Sequence, residues 1–172
     1  MCNRTPTWTT YYTQPKTTTM QPNKCMWLHL VDADATGNEL VLTDQDNEIT
    51  LTHKQRGSKS QQWMWNDNTH YLWNIKTGRF LGADNKNIAT SNQSQNSAFT
   101  WWYDQKRQAL TTKADHWTAN NNDEVGIKFL AAKKERLMPG ADVFVTMSNR
   151  AKANQHYQWR IEYCDQDNAW RN

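Results

Sequence analysis

Gln61-Gln62-Trp63, Phe99-Thr100-Trp101 and Tyr157-Gln158-Trp159 share one shape: a bulky or amide residue, any residue, then Trp, at the head of a strand-like run. The tryptophans are spaced by 38 residues and then by 58. A repeat of about 40 residues has room for four short strands. The third unit then carries about 20 extra residues, which fall between Asn120 and Gly140. The intervals read accordingly. Trp27-Leu28-His29-Leu30-Val31, Glu39-Leu40-Val41-Leu42-Thr43 and Glu48-Ile49-Thr50-Leu51-Thr52 are strand candidates, and Ile49 and Leu51 alternate with polar neighbours as a half-buried strand requires. Gln62 to Trp65, Tyr71 to Ile75, Arg79 to Gly82, Asn87 to Thr90 and Phe99 to Tyr103 follow. Asp34-Ala35-Thr36-Gly37-Asn38, Asp44-Gln45-Asp46-Asn47 and Lys76-Thr77-Gly78 supply turn chemistry between them. One stretch, Phe129 to Met138, reads as a helix stopped by Pro139-Gly140.

Three four-stranded units predict an all-β fold, a β-trefoil of three pseudo-repeats. In it a six-stranded barrel is capped by three hairpins, and Trp63, Trp101 and Trp159 meet near the pseudo-threefold axis. The expected organisation is an extended arm over 1–24, the trefoil over 25–164 and a tail over 165–172. The arm holds three of the four prolines, a run of threonines, and Trp8, Tyr11 and Tyr12. Its composition suits a solvated stalk, whereas its aromatics suit a strand laid on a neighbour.

Composition narrows the function. In 172 residues, 20 Lys and Arg stand against 17 Asp and Glu, a net charge of +3. These charges are mixed along the chain rather than gathered in the basic stripe of a nucleic-acid binder. No apolar run approaches the roughly 18 residues of a membrane span. Met1-Cys2-Asn3-Arg4-Thr5 carries no apolar secretion signal. Ten tryptophans beside a mean hydropathy of −1.01 indicate a folded polar domain rather than disorder. His29, His53, His70, His116 and His156 are scattered, with no metal-ligand spacing, so no metal is expected. Asp32-Ala33-Asp34-Ala35-Thr36-Gly37 opens like a calcium loop, but Thr43 stands where the twelfth-position Glu belongs, so a turn is expected. With no phosphate loop, nucleophile elbow or paired-Cys zinc motif, neither an enzyme nor a cofactor is expected.

The stretch Gln62-Trp63-Met64-Trp65 through Tyr71-Leu72-Trp73-Asn74-Ile75-Lys76-Thr77-Gly78-Arg79-Phe80-Leu81-Gly82, with Trp101-Trp102 and Trp159-Arg160-Ile161, resembles the ricin-B-type (R-type) lectin β-trefoils. Among these it is most similar to the cysteine-rich domain of the mannose receptor and phospholipase A2 receptor group. Phe80 stands where that group has Cys. The resemblance implies carbohydrate binding without metal. It also implies, for galactose-binding repeats, an Asp shortly after the first strand and an aromatic platform about nine residues before an Asn that precedes the signature. Here Ser60, Ala98 and His156 precede the signatures, and Leu51 and Ala89 occupy the platform positions in the first two repeats. Gly82 holds an Asp position, with Asp84 close by.

The expected function is therefore a non-catalytic, lectin-like glycan-binding module, with its site in the third repeat. Trp117 lies among Asp115, His116 and Asn120, and His156 stands before the third signature. An indole face takes the C–H face of a pyranose while carboxylates and amides bind its hydroxyls. A Trp covering the barrel end is the structural alternative. Cys25 and Cys164 bracket the trefoil on strands that neighbour each other in that fold, which predicts a disulfide, with Cys2 left for an interchain bond. Three reduced thiols in a cytosolic protein are the alternative. Asn3 and Asn92 begin glycosylation sequons. Together these features predict an extracellular or cell-surface setting. A second reading is a trefoil that has lost its sugar sites and serves, through Cys2 and the arm, as a disulfide-linked structural or interaction subunit of a surface adhesin or receptor complex.

Overall fold

The computed structural model describes residues 20–46, 48–84, 87–91, 99–113, 127–133, 137–147 and 155–164. The expectations placed on Cys2, Asn3, Asn92, Asp115, His116, Trp117, Asn120 and the 165–172 tail fall outside the described residues.

The strands are β1 (Met26–Leu30), β2 (Leu40–Gln45), β3 (Glu48–His53), β4 (Trp63–Trp65), β5 (Leu72–Asn74), β6 (Phe80–Asp84) and β7 (Asn87–Ser91). They continue as β8 (Trp102–Asp104), β9 (Ala109–Lys113), β10 (Ile127–Lys133), β11 (Ala141–Met147), β12 (Gln155–His156) and β13 (Trp159–Tyr163), and a 3-10 turn lies at Lys59–Gln61. All thirteen join a single antiparallel network. Three long hairpins stand out: β2–β3, β6–β7 and β10–β11. The sheet curls back on itself where β3 pairs with β11 through Leu51↔Ala141 and Thr50↔Asp142, and the first and last strands, β1 and β13, pair from Met26↔Tyr163 to Leu30↔Trp159. The fold is thus all-β, as expected.

Among the described residues the stretch Phe129 to Met138 holds no helix: Ile127–Lys133 is strand β10. Its run of good helix formers loses to tertiary pairing, since β9 and β11 bond to its two edges and Phe129, Leu130, Ala131 and Ala132 are all buried. A short, continuously apolar run fits a two-sided buried strand as well as a helix, and periodicity cannot separate them.

Trp63, Trp101 and Trp159 are fully buried in one cluster with Leu28, Leu42, Leu72, Leu81, Leu110 and Leu130. Each indole solves the problem of its buried N–H in the same way. Trp63 Nε1 donates to the Leu42 carbonyl, Trp101 Nε1 to Leu81 and Trp159 Nε1 to Leu130, each at 2.9 Å. In every case the acceptor lies on the first strand of a long hairpin. Burying one such indole is worth roughly 4–6 kcal/mol of transfer free energy. A second regularity is invisible in composition. Asn23, His70 and Gln108, which precede β1, β5 and β9, all have left-handed backbones with φ of 59°, 63° and 55°. The carbonyls of His70 and Gln108 accept the amide N–H of Trp101 and Trp159, at 2.7 Å in both cases.

The β1–β13 seam is closed covalently. Cys25 and Cys164 form a disulfide with Cα atoms 5.3 Å apart. The Cys164 amide also donates to the Cys25 carbonyl at 2.9 Å. The pairing expected from the sequence is present. Beside it lies a fourth fully buried tryptophan, Trp27, in a small cluster with Val41 and Cys164 on the opposite side of β1 from the main core. Before β1, Met20 joins the main core, and the Gln21 amide donates to the Tyr163 hydroxyl at 3.0 Å.

Candidate functional site

On β1, Met26, Leu28 and Leu30 face the main core, which turns Trp27 and His29 to the other side of the sheet. His29 is nonetheless fully buried. Its Nε2 lies 2.6 Å from Glu162 Oε1 on the paired strand β13. Lys54 donates to the same oxygen at 2.9 Å and sets its ammonium 4.9 Å from the centre of the Trp27 ring. The His29 hydrogen bond outweighs the opposing cost of burial and, with Lys54, holds the Glu162 carboxyl down to about 2. Glu39 continues the chain of charges, with one oxygen 2.6 Å from Arg160 Nη2 and the other 3.5 Å from His29 Nδ1.

The β1–β2 loop lies against this cluster and is ordered by one carboxylate. Asp34 Oδ1 accepts the Thr36 amide at 2.9 Å, the Thr36 hydroxyl at 2.6 Å and the Asn38 amide at 2.9 Å. Asp34 Oδ2 lies 2.6 Å from His53 Nε2 at the end of β3. Gly37, at φ 84°, lets the turn close. The hydrogen bond from His53, then that from Thr36, holds Asp34 well below the usual carboxylate range. The residues that opened like a calcium loop form a turn in which the Asp34 oxygens already have donors. No group of three or more metal-ligating side chains occurs among the described residues.

This order shapes an open depression of about 480 Å³, lined by Gly37, Asn38, Glu39, His53, Lys54 and Arg56. It offers amide, carboxylate, imidazole, ammonium and guanidinium groups and no aromatic face. The nearest indole, Trp27, is buried beneath Lys54. Its chemistry is directional hydrogen bonding to a polar, hydroxyl-rich surface.

Of the site residues expected from the sequence, His156 is described. It sits on β12, which pairs with β10, and its Nδ1 lies 2.6 Å from Asp32 Oδ2. The third-repeat histidine is therefore tied to the same β1–β2 loop that carries Asp34, Asn38 and Glu39. The depression itself was not anticipated. Two signals pointed to it: Asp32 and Asp34 directly follow the first strand, and His53 ends the third. The platform positions in the first two repeats hold no sugar-stacking ring: Leu51 is fully buried in the core, and Ala89 lies on β7. At Gly82 an added Cβ would stand 2.2 Å from Phe99 Cε1, so a carboxylate there would displace that ring.

The curled antiparallel sheet, with three indoles bonded to three hairpins, is an all-β fold. Among solved structures it is similar to the β-trefoil lectin of the Vibrio vulnificus hemolysin/cytolysin, solved with N-acetyl-D-lactosamine bound. That likeness has a TM-score of 0.58 and 16% identity, over 81% of this chain and 94% of that one. It is equally similar to the mdaA-1 domain, at TM-score 0.58 and 15% identity, over 84% and 93% of the two chains. At such identities the likeness is one of fold. No protein-family model matches the sequence, and no curated protein does.

Proposed function

We propose that the chain is a three-repeat β-trefoil acting as a non-catalytic carbohydrate-binding module, with the β1–β2 depression as its sugar contact. The observation that carries the reading is the shared fold with a trefoil lectin that holds N-acetyl-D-lactosamine. The repeated indole bonds to Leu42, Leu81 and Leu130, and the left-handed residues before β1, β5 and β9, support the threefold organisation. The depression supports the ligand class. Glu39, His53 and Lys54 are held by Arg160, Asp34 and Glu162, so a sugar meets donors and acceptors already in place, and the ordering entropy of binding is kept low. Asp115, His116, Trp117 and Asn120 are a second proposed contact, and His156, bonded to Asp32 of the β1–β2 loop, is proposed as part of the first. The resemblance to the cysteine-rich domain of the mannose receptor group belongs to this proposal. The disulfide suits an extracellular or cell-surface setting, and no helix among the described residues is long and apolar enough to cross a membrane.

A glycan array probed with folded, disulfide-intact protein tests the reading. Binding to a discrete set of glycans is expected, and an empty array overturns it. His53→Ala and Trp117→Ala, run on the same array, separate the two contacts.

The buried Leu51 at the first platform position favours a second reading, a trefoil whose sugar sites have lapsed and which serves as a disulfide-linked subunit through Cys2. Under it the array is empty, and the native, non-reduced protein runs as a covalent complex that collapses on reduction.

A further inference from the structure

Directly behind the depression, across the chain segment Thr52–Ser58, lies a second pocket of about 260 Å³. The segment divides its side chains between the two: His53, Lys54 and Arg56 line the first, and Thr52, Gln55 and Ser58 line the second. The walls of the second pocket are fixed by their own bonds. Thr43 and Thr52 hydroxyls lie 2.6 Å apart. Gln61 Nε2 donates to Thr52 Oγ1 at 2.8 Å and to the His53 carbonyl at 2.7 Å, while its Oε1 accepts the Gln55 amide at 2.8 Å.

One lining residue is different. Asp44 is 1% exposed. Its Oδ2 accepts the Thr77 hydroxyl at 2.8 Å, but its Oδ1 has no hydrogen-bond partner. A buried carboxylate oxygen without a donor is costly, and nearly all such atoms in folded proteins are satisfied. Asp44 belongs to β2 but is reached by the β5–β6 turn, which also brings Lys76 to the rim; Asp46 stands beyond it on the hairpin. The pocket therefore pairs an unsatisfied acceptor at its base with hydroxyl, amide, ammonium and carboxylate groups around its mouth. Lys76 sets the site against a metal cation. The volume is below that of pockets for drug-sized ligands and suits one small polar ring.

We infer that this pocket is a second saccharide subsite, which takes a single hydroxyl-rich sugar unit and receives a ligand hydroxyl at Asp44 Oδ1. The inference rests on the carbohydrate-binding reading but concerns a different set of residues. Asp44 lies at the base of the pocket, so engagement requires a small outward turn of its carboxyl group, which the sugar hydroxyl compensates by donating to Oδ1. Both pockets are lined from the one segment Thr52–Ser58, so neighbouring units of one glycan are the ligand this arrangement suits.

The test is a two-dimensional amide NMR titration of the full chain with a panel of neutral monosaccharides and short oligosaccharides. The expected result is shifts at Thr43, Asp44 and Lys76, with Asp44→Asn weakening those shifts at least tenfold. That substitution replaces the acceptor by an NH₂ but keeps an oxygen for Thr77. In the free protein Asp44→Asn is expected to leave the melting temperature nearly unchanged, because the bond from Thr77 is kept. Should it fail to fold, Lys76→Ala at the rim gives the same comparison. Shifts confined to Gly37–Glu39 and His53–Arg56 overturn this subsite and leave the lectin reading standing. No shift anywhere overturns both. Undiminished shifts in Asp44→Asn show that the carboxylate is not the contact, and likewise overturn the inference.

Discussion

The interior and the β1–β2 surface of this domain are built on opposite plans. Inside, one arrangement occurs three times: a tryptophan whose indole N–H meets a leucine carbonyl on a hairpin strand. On the surface, an arrangement occurs once. His53–Asp34, His156–Asp32 and His29–Glu162 all converge on residues 29–39, and each pair is 2.6 Å apart. Each of these bonds ties a buried indole to a distant hairpin, so the three together hold the core cluster to the sheet. What is not repeated is free to differ, and that is where a binding site can be carried without endangering the fold.

The largest effects are expected where the plan is repeated. Trp159→Ala removes a fully buried indole and strands the Leu130 carbonyl, at a cost of about 3–5 kcal/mol. Trp63→Ala and Trp101→Ala should match it within about 1 kcal/mol if the three positions are equivalent. Urea denaturation of the three variants measures this, and one tryptophan much cheaper than the others would break the equivalence. Next comes the seam. Cys25→Ser with Cys164→Ser opens a bridge spanning 139 residues and should cost about 2–5 kcal/mol, read in the same assay.

Smaller effects belong to the surface. Asp34→Ala takes the acceptor from Thr36, Asn38 and His53 at once. Hydrogen exchange at the loop amides should rise, while the core amides keep their protection and the melting temperature falls less than in any tryptophan variant. The pH dependence is subtler. Glu162 titrates at about 2 in the folded chain against an ordinary 4.5, so its contribution is complete above the ordinary value. It is lost as the pH falls through the folded one. Urea midpoints measured between pH 5 and about 2 should therefore decline, and Glu162→Gln should flatten that decline; an unchanged slope would mean that His29 and Lys54 do not stabilise the anion.

The interior was largely legible in the sequence because its signal is local. Trp63 and Trp159 open strands β4 and β13, Trp101 directly precedes β8, and all three were read from the sequence as core residues. The Cys25–Cys164 bridge followed once the first and last strands were taken as neighbours. Legibility failed where tertiary contacts decide. His70 and Gln108 carry no glycine to advertise a left-handed backbone, and what holds them there is a carbonyl aimed at a distant tryptophan amide. The segment around Phe129–Ala132 has helix formers in plenty, yet two flanking strands claim it. The surface site was the least legible. His29 and Glu162 are 133 residues apart, and Asp34 and His53 are common residue types whose pairing only the hairpin geometry creates. The signals for it were slight: Asp32 and Asp34 just after β1, and His53 at the end of β3.

The most direct test of the central claim is calorimetric titration of wild type and His53→Ala with the strongest array glycan, both proteins checked for an intact disulfide and equal melting behaviour. Saturable binding by wild type, reduced at least tenfold by His53→Ala, is the predicted result. Equal affinity in the two proteins, or no heat from any glycan with folded wild type, would contradict it.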